Sequence, residues 1–232
     1  MRIHSWQADL ILLAVTAVWG ATFPMVKNAT NLAVGGVPTY WFLAVRFVMA
    51  TALLGLVFRR RLRGLPASTW WAGILLGAFL FAGYAFQTFG LAYTTSAKAA
   101  FITGLSMIVV PVLSVIWLRQ PPSPGAWLGV VTALAGLALL SLDDSLVPSR
   151  GDLLVLMGAV AFGLQVAGVS RFAGRHDPIA LAVIQLGTSG VLAAALHLWE
   201  RASLGPGVPG VSWWAPPAWV VPAIVVCGLL AT

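Results

Sequence analysis

Along the chain, apolar residues gather in blocks about as long as the ~20 residues a bilayer-spanning helix requires, with short polar breaks between them. The blocks occupy residues 8–26, 38–58, 70–93, 99–118, 125–142, 153–170 and 179–198, followed by a shorter stretch at 219–232. This pattern predicts an all-α polytopic membrane protein with seven complete helices and part of an eighth. The breaks carry turn chemistry: Gly35, Gly36 and Pro38 after the first span, Gly64 and Pro66 after the second, and Pro121, Pro122 and Pro124 after the fourth. Connections this short make consecutive helices antiparallel neighbours.

The pattern also repeats. Residues 8–23 (ADLILLAVTAVWGATF) align without a gap on 151–166 (GDLLVLMGAVAFGLQV), pairing Asp9 with Asp152, Gly20 with Gly163 and Trp19 with Phe162 at one constant offset. Five spans separate the two acids, and an odd number turns the second copy upside down in the bilayer. Inverted repeats of this kind are the architecture of many alternating-access carriers. The expected organisation is a first repeat over 1–142, a joining loop over 143–150 and a second repeat over 151–232, with the latter stopping partway through the counterpart of the third span. The chain is therefore expected to be a fragment that lacks the rest of its eighth helix and two more.

Composition agrees with a bilayer setting, since hydrophobic residues make up 60% of the chain and charged residues 8%, against about 25% charged in soluble domains. The net charge of +7 would suggest nucleic acid in a soluble protein. Here the cations sort by membrane side. With the N-terminus inside, Arg2, Arg59, Arg60, Arg61, Arg63, Arg119, Arg171 and Arg175 are cytoplasmic, and Lys27, Lys98, Arg150 and Arg201 are outside. The positive-inside rule favours that orientation in a cell (inner) membrane. The lone Cys227 cannot form an intrachain disulfide. Trp213 and Trp214, in the Gly- and Pro-rich loop 201–218, read as anchors at the headgroup level.

Arg46 is the most informative single position, because it lies about 12 Å into the second span at 1.5 Å per residue. Insertion scales put an Arg at helix centre at about 2.5–3.5 kcal/mol, so it should face a cavity or a partner. Apart from Asp9 at the very edge of the first block, no Asp or Glu lies inside the apolar blocks to pair with it. Two readings stand: a cationic contact for a substrate anion, whose two oxygens a guanidinium can grip, or an Arg that binds helix-end carbonyls and locks packing. Pro24 and Pro111 withdraw donors from the carbonyls of Gly20 and Met107, which predicts kinks with a hinge role. Trp19 and Phe23, then Tyr84 and Gln87 with Thr88, then Thr103 and Ser106, share helix faces, and Gln165 and Gln185 add polar handles in the second half. Together they would line a central cavity. Singly, each is also read as an interhelical bridge. The Gly73/Gly77 and Gly125/Gly129 spacings suggest close helix packing. His197 and Glu200, at the outer end of the seventh span, read as interfacial rather than as a proton relay. Motifs for metallohydrolases, serine hydrolases and phosphate-binding loops are absent, so no catalytic residue, metal or cofactor is expected.

The stretch Trp19–Lys27, the Arg46-Phe47 pair and residues 93–142 resemble the EamA domain of the drug/metabolite transporter superfamily, most specifically in the span with Pro111, its short basic turn and the Trp-Leu-Gly opening of the next helix. The resemblance implies two inverted five-helix halves around a central cavity and export of small metabolites, such as amino acids, or of drugs. Members often end the fourth helix with Gly-Glu where this chain has Arg119-Gln120. The expected partners are the bilayer and a small-molecule substrate, with a homodimer also possible and no nucleic acid. Alternatives are a sugar-phosphate or nucleotide-sugar carrier, which should show more cavity cations, and a non-transporting accessory subunit that uses its Gly-rich faces.

Overall fold

The computed structural model describes residues 5–113, 115, 123–141, 149–204 and 216–229. Arg2, Arg119, Gln120, Pro121, Pro122, Trp213, Trp214, the segment 143–148, the side chain of Asp9 and the last three residues, all invoked above, lie outside what is described.

The described residues form α-helices joined by turns, with no strand among them. In chain order these are α1 (Ser5–Ala29), α2 (Thr39–Val57), α3 (Ala67–Leu91), α4 (Ser96–Gly104), α5 (Ser106–Leu113), α6 (Pro124–Ser141), α7 (Arg150–Phe172), α8 (Pro178–Leu204) and α9 (Val221–Leu229). Among the described residues, α2, α3, α7 and most of α8 are long and apolar enough to cross a membrane. Large apolar side chains such as Leu13, Leu56, Trp71 and Val191 point outward, as lipid permits and water penalises. The protein is an all-α membrane protein. Its interior is filled by Phe42, Leu43 and Phe47 of α2, Leu76 and Leu91 of α3, Val155 of α7 and Leu181 of α8, all fully buried.

Two expected helices differ in detail. The fourth span divides into α4 and α5 at Leu105, six residues before Pro111, which sits inside α5. Pro24 lies inside α1, which continues through it to Ala29. The end caps follow local chemistry. Thr95 caps α4 by accepting from the Lys98 N–H. Ser149 and Asp152 form a reciprocal capping box on α7. Asp177 accepts from the N–H groups of Ile179 and Ala180 to start α8, with Pro178 in the first-turn position where its missing donor costs nothing. The α1–α2 turn needs glycine twice: Gly35 has φ 78°, and a Cβ on Gly36 would stand 2.6 Å from the Ala29 carbonyl oxygen.

Glycines also set how α3 meets its neighbours. A Cβ on Gly151 of α7 would fall 2.6 Å from the Gly90 oxygen, and one on Gly158 would fall 2.9 Å from the Gly83 oxygen, so α3 and α7 touch backbone to backbone. On another face of α3, a Cβ on Gly77 would lie 2.6 Å from the Gln185 oxygen of α8. The Ser189 hydroxyl of α8 donates to the Gly77 carbonyl at 2.9 Å. Close approach replaces the hydrophobic drive that lipid cannot supply. Of the two GxxxG spacings, Gly73/Gly77 therefore packs, whereas Gly129 has nothing within 4 Å.

Polar contacts gather at the two ends of the bundle. At the end carrying Arg59–Leu62, Arg61 pairs with Asp177 at 2.8 Å, and the Thr69 hydroxyl shares a 2.8 Å hydrogen bond with His176 Nδ1. At the opposite end, the Lys27 ammonium donates to the Thr94 carbonyl, and the Thr94 hydroxyl donates to Asp152. His197, at the far end of α8, is 4% exposed, whereas Leu198 and Trp199 beside it are exposed.

Candidate functional site

Between these polar ends lies a cavity of about 320 Å³, walled by α1, α2, α3, α4, α5, α7 and α8. Its volume falls in the range of small-molecule sites, about 300–1,000 Å³. All nine residues that the sequence proposes for ligand contact line it: Arg46, Trp19, Phe23, Tyr84 and Gln87, with Thr103, Ser106, Gln165 and Gln185.

Arg46 is 3% exposed and is the sole charged side chain among those that line the cavity. Its Nη2 donates to the Tyr84 hydroxyl at 3.1 Å, and its guanidinium carbon stands 4.3 Å from the Tyr84 ring centre and 5.4 Å from that of Phe47. The cation is thus held against aromatic faces and a phenol. Cation–π attraction is worth about 2 kcal/mol or more where water is excluded. Tyr84 is itself fixed edge-on by Phe47 at 5.2 Å and Phe162 at 4.9 Å. Those contacts hold the phenol in place, and with it the guanidinium.

The amides are bonded in pairs. Gln87 Nε2 donates to the Thr103 hydroxyl at 2.9 Å, and that hydroxyl donates to the Ala99 carbonyl at 2.8 Å. Gln165 Nε2 donates to Gln185 Oε1 at 2.8 Å, linking α7 to α8. In this orientation, the Gln87 and Gln165 carbonyl oxygens and the Gln185 amino group have no hydrogen-bond partner among the described residues. The cavity therefore offers these amide groups, the hydroxyls of Thr22, Thr88 and Ser106 and one cation, set between the rings of Trp19, Phe23, Tyr84 and Phe162. That set can bind a carboxylate at one end of a small molecule and hydrogen-bond or stack along the rest.

Sequence reading did not assign Phe162, Val166, Leu54, Leu80 or Leu186 to the wall. A signal for the first two was present. Trp19, Thr22 and Phe23 of α1 have Phe162, Gln165 and Val166 of α7 as their counterparts in the internal repeat, and all six line the cavity. The leucines carry no such mark, because apolar residues are everywhere in the chain.

Residues 6–142 match the EamA-like transporter family. The chain is 34% identical over 178 residues to an uncharacterized transporter of Archaeoglobus fulgidus, an alignment that covers 77% of this chain and 54% of that protein. It is 25% identical over 219 residues to the uncharacterized transporter YvbV of Bacillus subtilis, covering 93% of this chain and 69% of the relative. The chain thus spans only about half the length of the first of these relatives. A solved crystal structure aligns with a TM-score of 0.57 at 22% identity, over 93% of this chain and 74% of its own, and speaks for the fold alone.

Proposed function

We propose, from the premise that this chain belongs to the EamA-like transporter family, that it carries the substrate cavity of an exporter. The substrate is a small metabolite bearing an anionic group, an amino acid or a related compound, or a drug of similar size, and it moves by alternating access. The observation that carries this reading is Arg46: a buried cation and the sole charged side chain among those that line the cavity, between aromatic walls and open amide groups. A guanidinium placed in that cavity can grip both oxygens of a substrate carboxylate. In this reading, residues 1–142 and 151–232 act as inverted halves, and the chain lies in the cell membrane with its N-terminus and the Arg59–Leu62 end cytoplasmic. The repeat-related lining of α1 and α7 supports it, since a site shared by two halves can be exposed to either side in turn. A sugar-phosphate substrate is less suited, because two or more phosphate charges would face a single guanidinium.

The test is uptake by proteoliposomes of labelled amino acids and monocarboxylates, with wild type compared with Arg46→Gln and Arg46→Lys. Arg46→Gln should lose at least tenfold in transport of anionic substrates, matching one charge-assisted hydrogen bond. Arg46→Lys should fall between, because a point charge lacks the fork that grips two oxygens. Unchanged transport of every accepted substrate in Arg46→Gln would sink the assignment.

A further inference from the structure

A second pocket, of about 350 Å³, lies at the Lys27 end of the bundle and shares no residue with the central cavity. Lys27 from the last turn of α1, residues 92–95 of the α3–α4 turn, Lys98 from the first turn of α4, and Ser149 and Asp152 at the start of α7 line it. Its charges are unequally engaged. The Asp152 carboxylate accepts from the Thr94 hydroxyl at Oδ1 and from the Ser149 N–H at Oδ2, and it is close enough to feel the charge of Lys98. Lys27 donates to the Thr94 carbonyl, a neutral acceptor that leaves its charge in place. The Lys98 ammonium makes no hydrogen bond or ion pair with any described residue. Two ammonium groups thus face one carboxylate, leaving a net positive charge. Lys98 also stands where the α4 dipole opposes a cation, so the pocket's potential is more positive than its side chains alone would make it.

We propose that this pocket binds a small oxyanion, a phosphate or carboxylate group, held chiefly by Lys98 and shared by Lys27. The Thr95 hydroxyl, which accepts from the Lys98 N–H, keeps its own proton to donate. An anion here would bridge Lys27 of α1 and Lys98 of α4, beside Thr94, which already links Lys27 to Asp152 of α7. The exposed Tyr93 ring beside the pocket fits the water–lipid boundary. In the orientation proposed above, the pocket faces outward at headgroup depth. Its oxyanion can then come from a lipid phosphate or from a free anion in the external water, and the chemistry of recognition is the same. The assignment needs only binding, so it stands or falls separately from the transport reading.

The experiment is thermal unfolding of the purified full chain in neutral detergent, titrated with inorganic phosphate at constant ionic strength. A ligand that binds only the folded state raises Tm in a saturable way. Wild type and Lys98→Arg should saturate at similar phosphate concentrations, and Lys98→Gln should need roughly tenfold more, the loss of one charge-assisted hydrogen bond. Repeating the titration in phosphatidylglycerol nanodiscs separates the sources: a headgroup occupant abolishes the phosphate response there, whereas a free anion leaves it intact. A response without saturation, or one identical in wild type and Lys98→Gln, overturns the proposal. So does a midpoint that moves with Arg46→Gln and not with Lys98→Gln, which would put the anion in the central cavity.

Discussion

Gly151→Ala isolates the contact that aligns the two central helices. The added Cβ would stand 2.6 Å from the Gly90 oxygen, 2.7 Å from the Tyr93 carbonyl carbon and 2.9 Å from the Thr94 nitrogen. All three are backbone atoms, so no side chain can swing aside. Ordinary contact begins at 3.4 Å, and α7 must therefore retreat from α3 by about 0.8 Å, the difference between those distances, carrying the Asp152 cap away from Thr94. Overpacking of this kind costs about 1–3 kcal/mol. For a chain of this size, each kcal/mol moves Tm by about 2–4 °C, which predicts a fall of roughly 2–12 °C. Thermal unfolding in detergent, followed by tryptophan fluorescence or helical circular dichroism, would report it. Gly20→Ala is the matched control: nothing lies within 4 Å of that Cβ, and Ala in a helix interior is better than Gly by about 0.5–1 kcal/mol, so Tm should hold or rise slightly. If Gly151→Ala were as stable as wild type, or if both variants fell equally, the backbone-contact account of the α3–α7 seam would be refuted.

Beyond the Arg46 and Lys98 variants, two outcomes are expected. Thr69 is 2% exposed and bonded to His176, so Thr69→Val, which keeps the shape and removes the hydroxyl, should cost about 1 kcal/mol; a Tm within error of wild type would show that the bond contributes nothing. The Asp177 carboxyl is held below its ordinary value by the Ala180 N–H, the Arg61 guanidinium and the Ile179 N–H. Because the folded value is the lower one, the stability it confers is complete above the unfolded value of about 3.9 and is lost as pH falls through the folded value. The Tm advantage of wild type over Asp177→Asn should therefore be constant near neutrality and shrink below about pH 4, and an advantage that grew on acidification would contradict this sign.

The membrane class, most helix bounds to within a few residues and the polar residues of the cavity other than Thr22 were legible along the chain. They rest on local quantities: the length of an apolar run, the 3.6-residue period that puts Tyr84, Gln87 and Thr88 on one face, and the cost of a charge such as Arg46 in lipid. A repeat made Phe162 and Val166 discoverable as well, because a residue inherits the environment of its counterpart. Which groups meet is a different matter. That Gln165 bonds to Gln185 and Gln87 to Thr103, that Tyr84 covers Arg46, and that Gly73/Gly77 packs while Gly129 stands clear all depend on the rotation and stagger of one helix against another. Those are decided by backbone contacts between segments far apart in sequence, such as Gly90 on Gly151, and no periodicity within a single helix contains them. The break at Leu105 belongs with them: the run of apolar residues there reads as one span, and the division into α4 and α5 appears once the two pieces pack separately on α7.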